Sequence, residues 1–229
     1  MTESQYAVPK QLLAVDCIIF GYEKETLKLL LAQRKMEPAR GEWSLLGGWV
    51  LENETVEEAA ERVLYQITGL KHIFLEQVKV FSDLNRDPGG RVISVTFYAM
   101  IRIDKHDREL VKKHGAKWWI FNKHPNLIFD HNQMVVAAHE KLKWKASHEL
   151  IGQDLLPSKF TLLQLRKMYE TVFQREFDPG NFRKKILSLK VLDKLDDKNT
   201  VDSKKGAYYY RFRKDTELSV LERIVKLHP

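Results

Sequence analysis

The stretch Gly47-Gly48-Trp49-Val50-Leu51-Glu52-Asn53-Glu54-Thr55, with the residues that follow it to Gly69, decides the fold of the first half of the chain. It reads as the end of a strand, a glycine turn, an acidic loop and an amphipathic helix. Thr55 and Glu58 have the spacing of a capping box, in which a hydroxyl and a carboxylate each bind a backbone N–H at the start of a helix. Gly69 supplies the left-handed residue that ends many helices. The stretch therefore predicts a helix over 55–69.

One face of this helix is apolar and the opposite face is acidic. Apolar residues recur at steps of three and four, as in a single buried stripe: Val56, Ala59, Ala60, Val63, Leu64 and Ile67. At about 100° of rotation per residue, Gln66 and Ile67 fall within about 60° of Val63. The acidic residues lie on the other side, and we interpret them as a solvated surface: Glu57, Glu58 and Glu61.

The spacing resembles the Nudix box, the signature of a hydrolase family that cleaves nucleoside diphosphates linked to another group. The matching positions are Gly48, Glu54, Arg62 and Gly69, the last followed by a leucine. In the family signature the arginine is followed at once by a glutamate, and two more glutamates stand three and four residues after that one. These three carboxylates hold Mg²⁺ on the diphosphate and supply the base. Here their positions are occupied by Val63, Gln66 and Ile67.

The chemistry of these three side chains argues against hydrolysis. Magnesium prefers hard oxygen ligands, usually carboxylates together with substrate phosphates. Valine and isoleucine offer no oxygen, and the glutamine amide carries no charge. We therefore expect a degenerate Nudix domain with no catalytic residue, no metal site and no cofactor. The competing hypothesis is an active Nudix hydrolase that recruits acids from elsewhere in the fold.

The net charge of +7 is unevenly distributed over the 229 residues. Residues 151–229 hold 17 Lys and Arg against 11 Asp and Glu, whereas residues 1–150 hold 21 against 20. A basic final third favours a polyanionic partner, most commonly a nucleic acid. Hydrophobic residues make up 44% of the chain, which is enough for substantial cores.

A single cysteine, Cys17, excludes an internal disulfide and a cysteine-rich zinc site. It lies in an apolar run and is expected to be buried. No segment has the length of a membrane span, and the first residues lack the pattern of a signal peptide. We therefore expect a cytoplasmic protein with no membrane contact.

Residues 12–20 and 27–33 read as strands joined by a turn at 21–25. Asp16 lies in the middle of the first strand, where it faces either solvent or a polar pocket, because a buried carboxylate needs polar partners. Residues 71–83 and 91–103 read as a hairpin around turn-forming residues 85–90. The polar side chains of its second strand line a ligand cleft or are simply exposed: Ser94, Thr96 and Tyr98.

Residues 117–121 read as another short strand, and Asp130 is expected to cap a helix that runs from His131 to His148. The apolar stripe of this helix comprises Met134, Val135, Ala138 and Leu142. The histidines at 124, 131, 139 and 148 have no metal-ligand spacing and no triad partner, so surface or cap roles are expected. The Nudix resemblance spans about residues 10–148 and implies an α/β/α sandwich around a mixed sheet.

The basic final third reads as a winged helix. Thr161 and Gln164 form a second capping box, and Asp178 followed by Pro179 begins the next helix. That helix buries Phe182, Ile186 and Leu189. Its remaining residues suit DNA, because asparagine can read adenine and basic side chains can read guanine or bind phosphate: Asn181, Arg183, Lys184, Lys185 and Ser188. A hairpin over 191–195 and 207–213 follows, with Lys198, Lys204 and Lys205 in its polar tip.

A Nudix-like domain without its acids (residues 1–150) joined to a winged helix (residues 151–229) resembles the Nudix-related transcriptional regulators. In that family the Nudix domain senses an effector and the winged helix binds operator DNA, usually as a dimer. The segment Asn181-Phe182-Arg183-Lys184-Lys185 is similar to the recognition helix of that family. The final helix predicted over 217–227 suits packing within the chain or in a homodimer. A solvated accessory domain is the alternative for the final third, and so is an RNA- or protein-binding module containing Tyr208, Tyr209 and Tyr210.

The resemblance implies one of two effectors. Some members respond to ADP-ribose and control NAD metabolism, whereas a branch that resembles this chain more closely responds to arabinose. Because the box lacks metal ligands to neutralise a diphosphate, we expect a neutral sugar, first L-arabinose and then ADP-ribose, and a repressor of sugar-utilisation genes. The candidate effector-binding residues combine hydrogen-bonding groups with aromatic faces: Asp16, Arg34, Arg40, Trp43, Asp83 and Tyr98.

Overall fold

The computed structural model describes residues 11–106, 108–113, 115–200 and 206–213. Its elements, in chain order, are β1 (Leu12–Glu23), β2 (Thr26–Gln33), β3 (Trp43–Ser44), β4 (Leu46–Trp49), α1 (Val56–Thr68), β5 (Glu76–Phe81), β6 (Val92–Arg102), α2 (Arg108–Lys113), β7 (Ala116–Ile120), α3 (His131–His148), β8 (Phe160–Thr161), α4 (Leu162–Phe173), α5 (Pro179–Ser188), β9 (Leu192–Asn199) and β10 (Ala207–Phe212). Short 3-10 helices follow β6 and β7. Of the helices that the structure describes, none is both long and apolar enough to cross a membrane.

The chain divides into two compact units. The first contains residues 1–19, 29–99 and 107–138, and the second contains residues 20–28, 100–106 and 139–229, within the ranges that the structure describes. The tip of the β1–β2 hairpin thus belongs to the second unit, where Thr171 of α4 donates a hydrogen bond to the carbonyl oxygen of Glu25 at 3.2 Å. The predicted domain boundary at residue 150 remains a prediction.

The larger sheet has seven strands, in the order β3-β2-β1-β6-β5, with β4 also paired to β1 and β7 to β2. β1 and β4 are antiparallel, and their register sets Asp16 opposite Gly47. Gly47 and Gly48, which were predicted to form a turn, therefore lie in strand β4 opposite the centre of β1. The strands predicted over residues 12–20 and 27–33 are confirmed, but the turn between them is shorter than predicted.

That turn contains only Lys24 and Glu25, both with positive φ (45° and 57°). Two central residues of positive φ are typical of the type I′ turn, whose twist matches that of the flanking strands. Gly21, which was predicted to lie in the turn, is part of β1. The correction has a physical basis, because a two-residue turn extends the antiparallel ladder further than a glycine-centred loop would.

Helix α1 agrees with the prediction made from its caps. Thr55 and Glu58 form the reciprocal capping box, and Gly69 ends the helix at φ 74°. The predicted stripe is turned inward, with Ala59, Ala60, Val63 and Leu64 buried. The acidic residues Glu57, Glu58 and Glu61 are exposed, as expected for a solvated helix face.

In the second unit, α4 and α5 form a helix–turn–helix beside the small antiparallel sheet β8-β10-β9. The capping box of Thr161 with Gln164 is present, and the Asp178 side chain accepts a hydrogen bond from the backbone N–H of Asn181. The core of the unit is aromatic and aliphatic: Phe160, Leu165, Met168, Tyr169, Val172, Phe182, Ile186 and Tyr210. Phe160 and Phe212 hold β8 against β10, with ring centroids 4.7 Å apart.

The hairpin of the second unit is longer than predicted. β9 continues to Asn199, which pairs with Ala207, so residues 196–199 belong to a strand and not to the polar tip. Polar residues are tolerated there because one face of the ladder is exposed. Lys194 and Lys198 both lie over the ring of Tyr208, with Nζ 3.5 Å and 4.6 Å from its centroid. The final helix predicted over 217–227 lies outside the described residues.

Candidate functional site

A cavity of about 490 Å³ lies in the first unit, beside the glycines of β4 and the last turn of α1. Its volume is within the ordinary range for small-molecule sites. Its wall combines backbone, charged and aromatic groups: Ala14, Val15, Asp16, Ala32, Gln33, Arg34, Lys35, Met36, Glu37, Ser44, Leu45, Gly47, Gly48, Trp49, Gln66, Ile67, Arg86, Asp87, Val92, Gly115, Phe129 and His131.

Asp16 is a buried carboxylate in this wall, with 5% of its surface exposed. The hydroxyl of Ser94 in β6 donates to its Oδ2 at 2.6 Å. Nη2 of Arg86 lies 3.9 Å from the same oxygen, and Nε2 of His131 lies 3.7 Å from Oδ1. Asp16 therefore faces a polar pocket, which decides between the two alternatives left by the sequence.

Arg86 joins this pocket to the start of α3. Its Nε and Nη2 donate to the two carboxylate oxygens of Asp130, each at 2.8 Å. Asp130, which was predicted to cap α3, directly precedes that helix, and both of its carboxylate oxygens accept from this buried arginine. A buried ion pair is maintained only when its geometry and remaining hydrogen bonds are good, and this bidentate pair meets the first condition.

His131 is buried rather than exposed, so the expected surface or cap role is wrong for this histidine. Its Nδ1 accepts a hydrogen bond from the backbone N–H of Leu45 at 3.1 Å. Burial lowers the pKa of His131 below its ordinary value, although Asp16 opposes that effect. The neutral ring therefore carries its proton on Nε2, the nitrogen nearer to Asp16.

Two glycines of β4, Gly47 and Gly48, allow this strand to approach these groups. A Cβ on Gly47 would lie 2.4 Å from Oδ1 of Asp16, and a Cβ on Gly48 would lie 2.7 Å from Cγ2 of Val63. Both distances are far shorter than van der Waals contact. The cavity wall therefore needs glycine at 47 and 48 for reasons of space.

Replacing Gly47 with alanine should lower the free energy of unfolding by about 1–3 kcal/mol, the range for overpacking a filled site. Asp16 cannot move aside easily, because Ser94 holds its carboxylate and the side chain is buried. Thermal unfolding with Gly180→Ala as the control measures this, since a Cβ on Gly180 has no heavy-atom neighbour closer than 3.3 Å. An unchanged unfolding midpoint for Gly47→Ala would contradict the packing described here.

Glu54 and Arg62, the charged residues of the box signature that this chain retains, have a structural role. Arg62 donates through Nε to Glu54 at 2.8 Å and through Nη2 to the carbonyl oxygen of Trp49 at 2.8 Å. Glu54 in turn accepts from the backbone N–H of Leu51 at 2.8 Å. The hydrogen bond from Arg62 lowers the pKa of Glu54 to about 2. The pair thus ties the acidic loop to α1.

The three positions that carry glutamate in the family signature do not fit magnesium. Val63 is buried against Gly48, and Gln66 and Ile67 line the cavity without offering a carboxylate. Within the described ranges, no group of three His, Cys, Asp or Glu side chains could hold a metal ion. These residues therefore do not fit a magnesium ion, and loss of hydrolase activity stays a prediction.

Two of the six predicted effector residues line the cavity. Asp16 is one, and Arg34 at the end of β2 is the other. Nε of Arg34 donates to the carbonyl oxygens of Pro38 and Met36 at 2.6 Å and 3.2 Å. Its guanidinium carbon lies 5.4 Å from the centre of the Phe129 ring. These contacts anchor a cation in the wall of the cavity.

The other four do not line it. Arg40 and Asp83 are exposed on loops, and Trp43 packs edge to face on Trp119 at 5.2 Å between ring centroids. Tyr98 is buried, with its hydroxyl 3.4 Å from Oε2 of Glu76. These four residues were predicted from their polar or aromatic type, which does not indicate their neighbours in the fold. Arg86, Phe129 and His131 were not predicted as cavity residues; the only signal was the Asp130-His131 pair at the start of α3.

Helix α5 presents the predicted DNA-contacting residues on its outer face. Asn181, Arg183, Lys184 and Ser188 are exposed and Lys185 is partly exposed, while Phe182 and Ile186 are buried. The helical period thus separates a packed side from a polar, basic side. Lys204 and Lys205 lie outside the described residues.

Two family models match the chain in succession. The NUDIX domain model matches residues 10–137, more than half of the chain, and the model described as the NrtR DNA-binding winged helix domain matches residues 152–212. The α+β class, with a mixed sheet followed by a winged helix, is therefore confirmed.

Two curated proteins are similar to the chain. The "ADPR responsive transcriptional repressor NtrR" of Acinetobacter baylyi is 28% identical over 208 residues, which is 89% of this chain and 83% of that protein. The "ADP-ribose pyrophosphatase" of Methanocaldococcus jannaschii is 38% identical over 135 residues, 58% of this chain and 73% of that protein.

Solved structures of NrtR from Shewanella oneidensis are also similar. The complex with a 27mer DNA has a TM-score of 0.74 at 28% identity, covering 88% of this chain and 93% of that one. The NUDIX domain of the same protein complexed with ADP ribose has a TM-score of 0.52 at 30% identity, covering 62% of this chain and 94% of that one.

The expected membership of an arabinose-responsive branch finds no support in these matches. That expectation assumed that a diphosphate needs a metal for charge neutralisation. The cavity instead contains cationic side chains of its own, Arg34 and Lys35. The chain belongs to the Nudix family, and its Nudix domain is followed by a segment that matches the NrtR DNA-binding winged helix domain.

Proposed function

We propose that this chain is a DNA-binding transcriptional repressor whose Nudix domain binds ADP-ribose without hydrolysing it. The observation that carries the proposal is the cavity of about 490 Å³ at the degenerate box, bounded by Gly48, Gln66 and Ile67. The chain has a cavity at the Nudix box although the three carboxylates of the hydrolase signature are missing. The similar repressor and the ADP-ribose complex support this choice of ligand.

The chemistry of the cavity wall suits ADP-ribose. Arg34 and Lys35 offer positive charge for the two phosphates, and guanidinium groups bind phosphate oxygens through strong charge-assisted hydrogen bonds. Asp16 offers carboxylate oxygens to ribose hydroxyls, and Phe129 offers an aromatic face. Arabinose would leave the cationic side unused. The proposed effector site is therefore Asp16 and Arg34 together with Lys35 and Phe129.

The winged helix would contact operator DNA. We propose that Asn181, Arg183, Lys184, Lys185 and Ser188 of α5 enter the major groove, and that Lys204 and Lys205 bind phosphates. A short basic helix in a helix–turn–helix commonly reads base edges, while hairpin lysines bind the backbone. The exposed polar face of α5 and the similar DNA complex support this assignment.

Regulation would follow from linkage. ADP-ribose binds one geometry of the repressor better than another, and that difference changes operator affinity by the same coupling free energy. We propose a homodimer as the operator-binding form, because a pair of α5 helices would read two half-sites. Genes of NAD metabolism are the proposed target, since ADP-ribose is made by breaking NAD.

The test combines ligand and DNA binding on the full chain. A thermal-shift screen with ADP-ribose, pentoses and hexoses should show a raised unfolding midpoint with ADP-ribose alone, because a ligand that binds only the folded state stabilises it. Duplexes enriched from a random library by the protein should then be released when ADP-ribose is added. A shift with arabinose and none with ADP-ribose would overturn the effector, and failure to enrich any duplex would overturn the DNA-binding role.

A second candidate function is ADP-ribose hydrolysis, which the 38% identical pyrophosphatase favours. Hydrolysis would require acids from outside the box, because Val63, Gln66 and Ile67 cannot hold magnesium. A magnesium-dependent assay with ADP-ribose and dinucleotide substrates separates the two functions. Turnover at ordinary enzyme rates would overturn the sensor-only proposal.

A further inference from the structure

Glu170 of α4 is a carboxylate that is 92% buried in the helix–turn–helix, with 8% of its surface exposed. Its Oε1 accepts hydrogen bonds from the backbone N–H of Phe177 and from Nη1 of Arg166, each at 3.0 Å. Its Oε2 lies 2.9 Å from Nζ of Lys167. Four residues earlier on the same helix, Arg166 completes the arrangement by donating from Nη1 to the carbonyl oxygen of Phe177 at 2.9 Å.

One ion pair therefore binds both backbone polar groups of a single turn residue. Phe177 comes directly before Asp178, the residue that caps α5 by accepting a hydrogen bond from the N–H of Asn181 at 2.7 Å. The backbone of Phe177 is thus held from one side by α4 and joined on the other side to the first turn of α5. The direction in which α5 leaves the turn depends on this residue.

The side chain of Phe177 is held as well. Its ring packs against those of Phe173 and Phe182, at centroid distances of 5.5 Å and 6.0 Å. The guanidinium carbon of Arg175 lies 4.8 Å from its centroid. With backbone and ring both fixed, Phe177 has little freedom to rotate, so the ion pair on α4 can control the position of α5.

The negative charge of Glu170 makes it possible to distinguish an electrostatic effect on DNA binding from a positional one. A carboxylate in a DNA-binding domain repels phosphates, so long-range electrostatics alone predicts that removing it would tighten DNA binding. Glu170 opposes DNA binding by its charge and yet accepts a hydrogen bond from the turn at the N–H of Phe177, so it is expected to act by geometry. Removing Glu170 is therefore expected to strengthen DNA binding through the loss of charge and to weaken it through the loss of position.

We propose that Glu170 and Arg166 are positioning residues that fix α5 in the orientation required for operator binding. The inference rests on the proposed DNA-binding function. Neither residue needs to touch DNA for this role. Their action passes through the backbone of Phe177 to the cap of α5, and from there to the exposed face that carries Asn181 and Lys184.

The test compares Glu170→Ala with Glu176→Ala. Glu176 is exposed in the same turn, so both substitutions remove one negative charge from the same region. Fluorescence anisotropy with a labelled duplex enriched by the wild-type protein should show about tenfold weaker binding for Glu170→Ala, the factor that corresponds to losing one hydrogen bond to a charged group. Glu176→Ala should bind as tightly as wild type or more tightly. The ADP-ribose thermal shift should be unchanged in both.

Two further measurements separate positioning from general damage. Hydrogen exchange at the amides of Phe177 and Asn181 should accelerate in Glu170→Ala while the amides in the middle of α4 stay protected. Glu170→Gln should recover part of the lost affinity, because its amide oxygen can still accept from the N–H of Phe177. If Glu170→Ala does not fold, Arg166→Met replaces it, with Lys190→Met as the control that removes the same charge from an exposed site.

Equal DNA affinity for Glu170→Ala and Glu176→Ala would overturn the inference, as would equal weakening by Arg166→Met and Lys190→Met. Unchanged exchange at Phe177 would overturn it independently of DNA. Failure of the wild-type protein to bind any duplex would instead overturn the proposed function, and the exchange measurement would still decide whether the ion pair holds the turn.

Discussion

The double substitution Asn181→Ala with Lys184→Ala is expected to weaken operator binding by about a hundredfold, since a base-reading side chain contributes ~1–3 kcal/mol and a phosphate contact adds to it. Both side chains are exposed on α5, so the unfolding midpoint should not change. Anisotropy titrations at several salt concentrations measure the effect. Loss of one phosphate contact should reduce the salt slope by about one.

Asn122→Ala with Lys123→Ala is a matched control for this experiment. The pair has the same two residue types and is exposed in the first unit. It therefore changes composition and net charge identically without altering α5. Equal loss of affinity in both double variants would mean that total charge, and not the face of α5, controls binding. No loss with the α5 pair would make the recognition-helix assignment wrong.

Arg34→Ala is expected to weaken ADP-ribose binding by about tenfold to a hundredfold, the range for a lost hydrogen bond to a charged group. The residue is anchored by its bonds to Pro38 and Met36, so it can meet a phosphate with little loss of side-chain freedom. Isothermal titration calorimetry gives the affinity directly. The same titration in excess EDTA should give an unchanged value, because the box provides no carboxylate for magnesium.

Arg40→Ala is the control, since Arg40 lies on the adjoining loop, is exposed and does not line the cavity. It removes the same charge and should leave the affinity for ADP-ribose unchanged. Equal weakening in both variants would place the ligand outside the cavity described here. Loss of binding in EDTA would show that the domain recruits a metal, which would revive the hydrolase alternative.

The elements that were predicted well depend on neighbours in the chain. The two capping boxes, the glycine that ends α1 and the Asp178-Pro179 start of α5 were all recognised from residues three or four positions apart. Helical periodicity likewise separated Phe182 and Ile186 from the exposed face of α5. Such signals are local, because a cap or a helix stripe forms within one or two turns of the same segment.

The composition of the cavity wall was predicted poorly because its contacts join distant segments. Ser94 and Asp16 are 78 positions apart, Arg86 and Asp130 are 44 apart, and Leu45 and His131 are 86 apart. A single sequence has no pattern that pairs such residues. For the same reason Arg40, Trp43, Asp83 and Tyr98 were selected by residue type alone, and the structure places them away from the cavity.

The amino-acid sequence by itself determined the scaffold, the loss of the three box carboxylates and the polar, basic face of α5. Each of these is a property of side-chain type at fixed local spacing. Only the tertiary structure decided that Asp16 faces a polar cavity, that His131 is buried beside it, and that Glu170 and Arg166 hold Phe177 from the neighbouring helix. Those arrangements depend on strand register and helix packing, which bring together groups that no local rule relates.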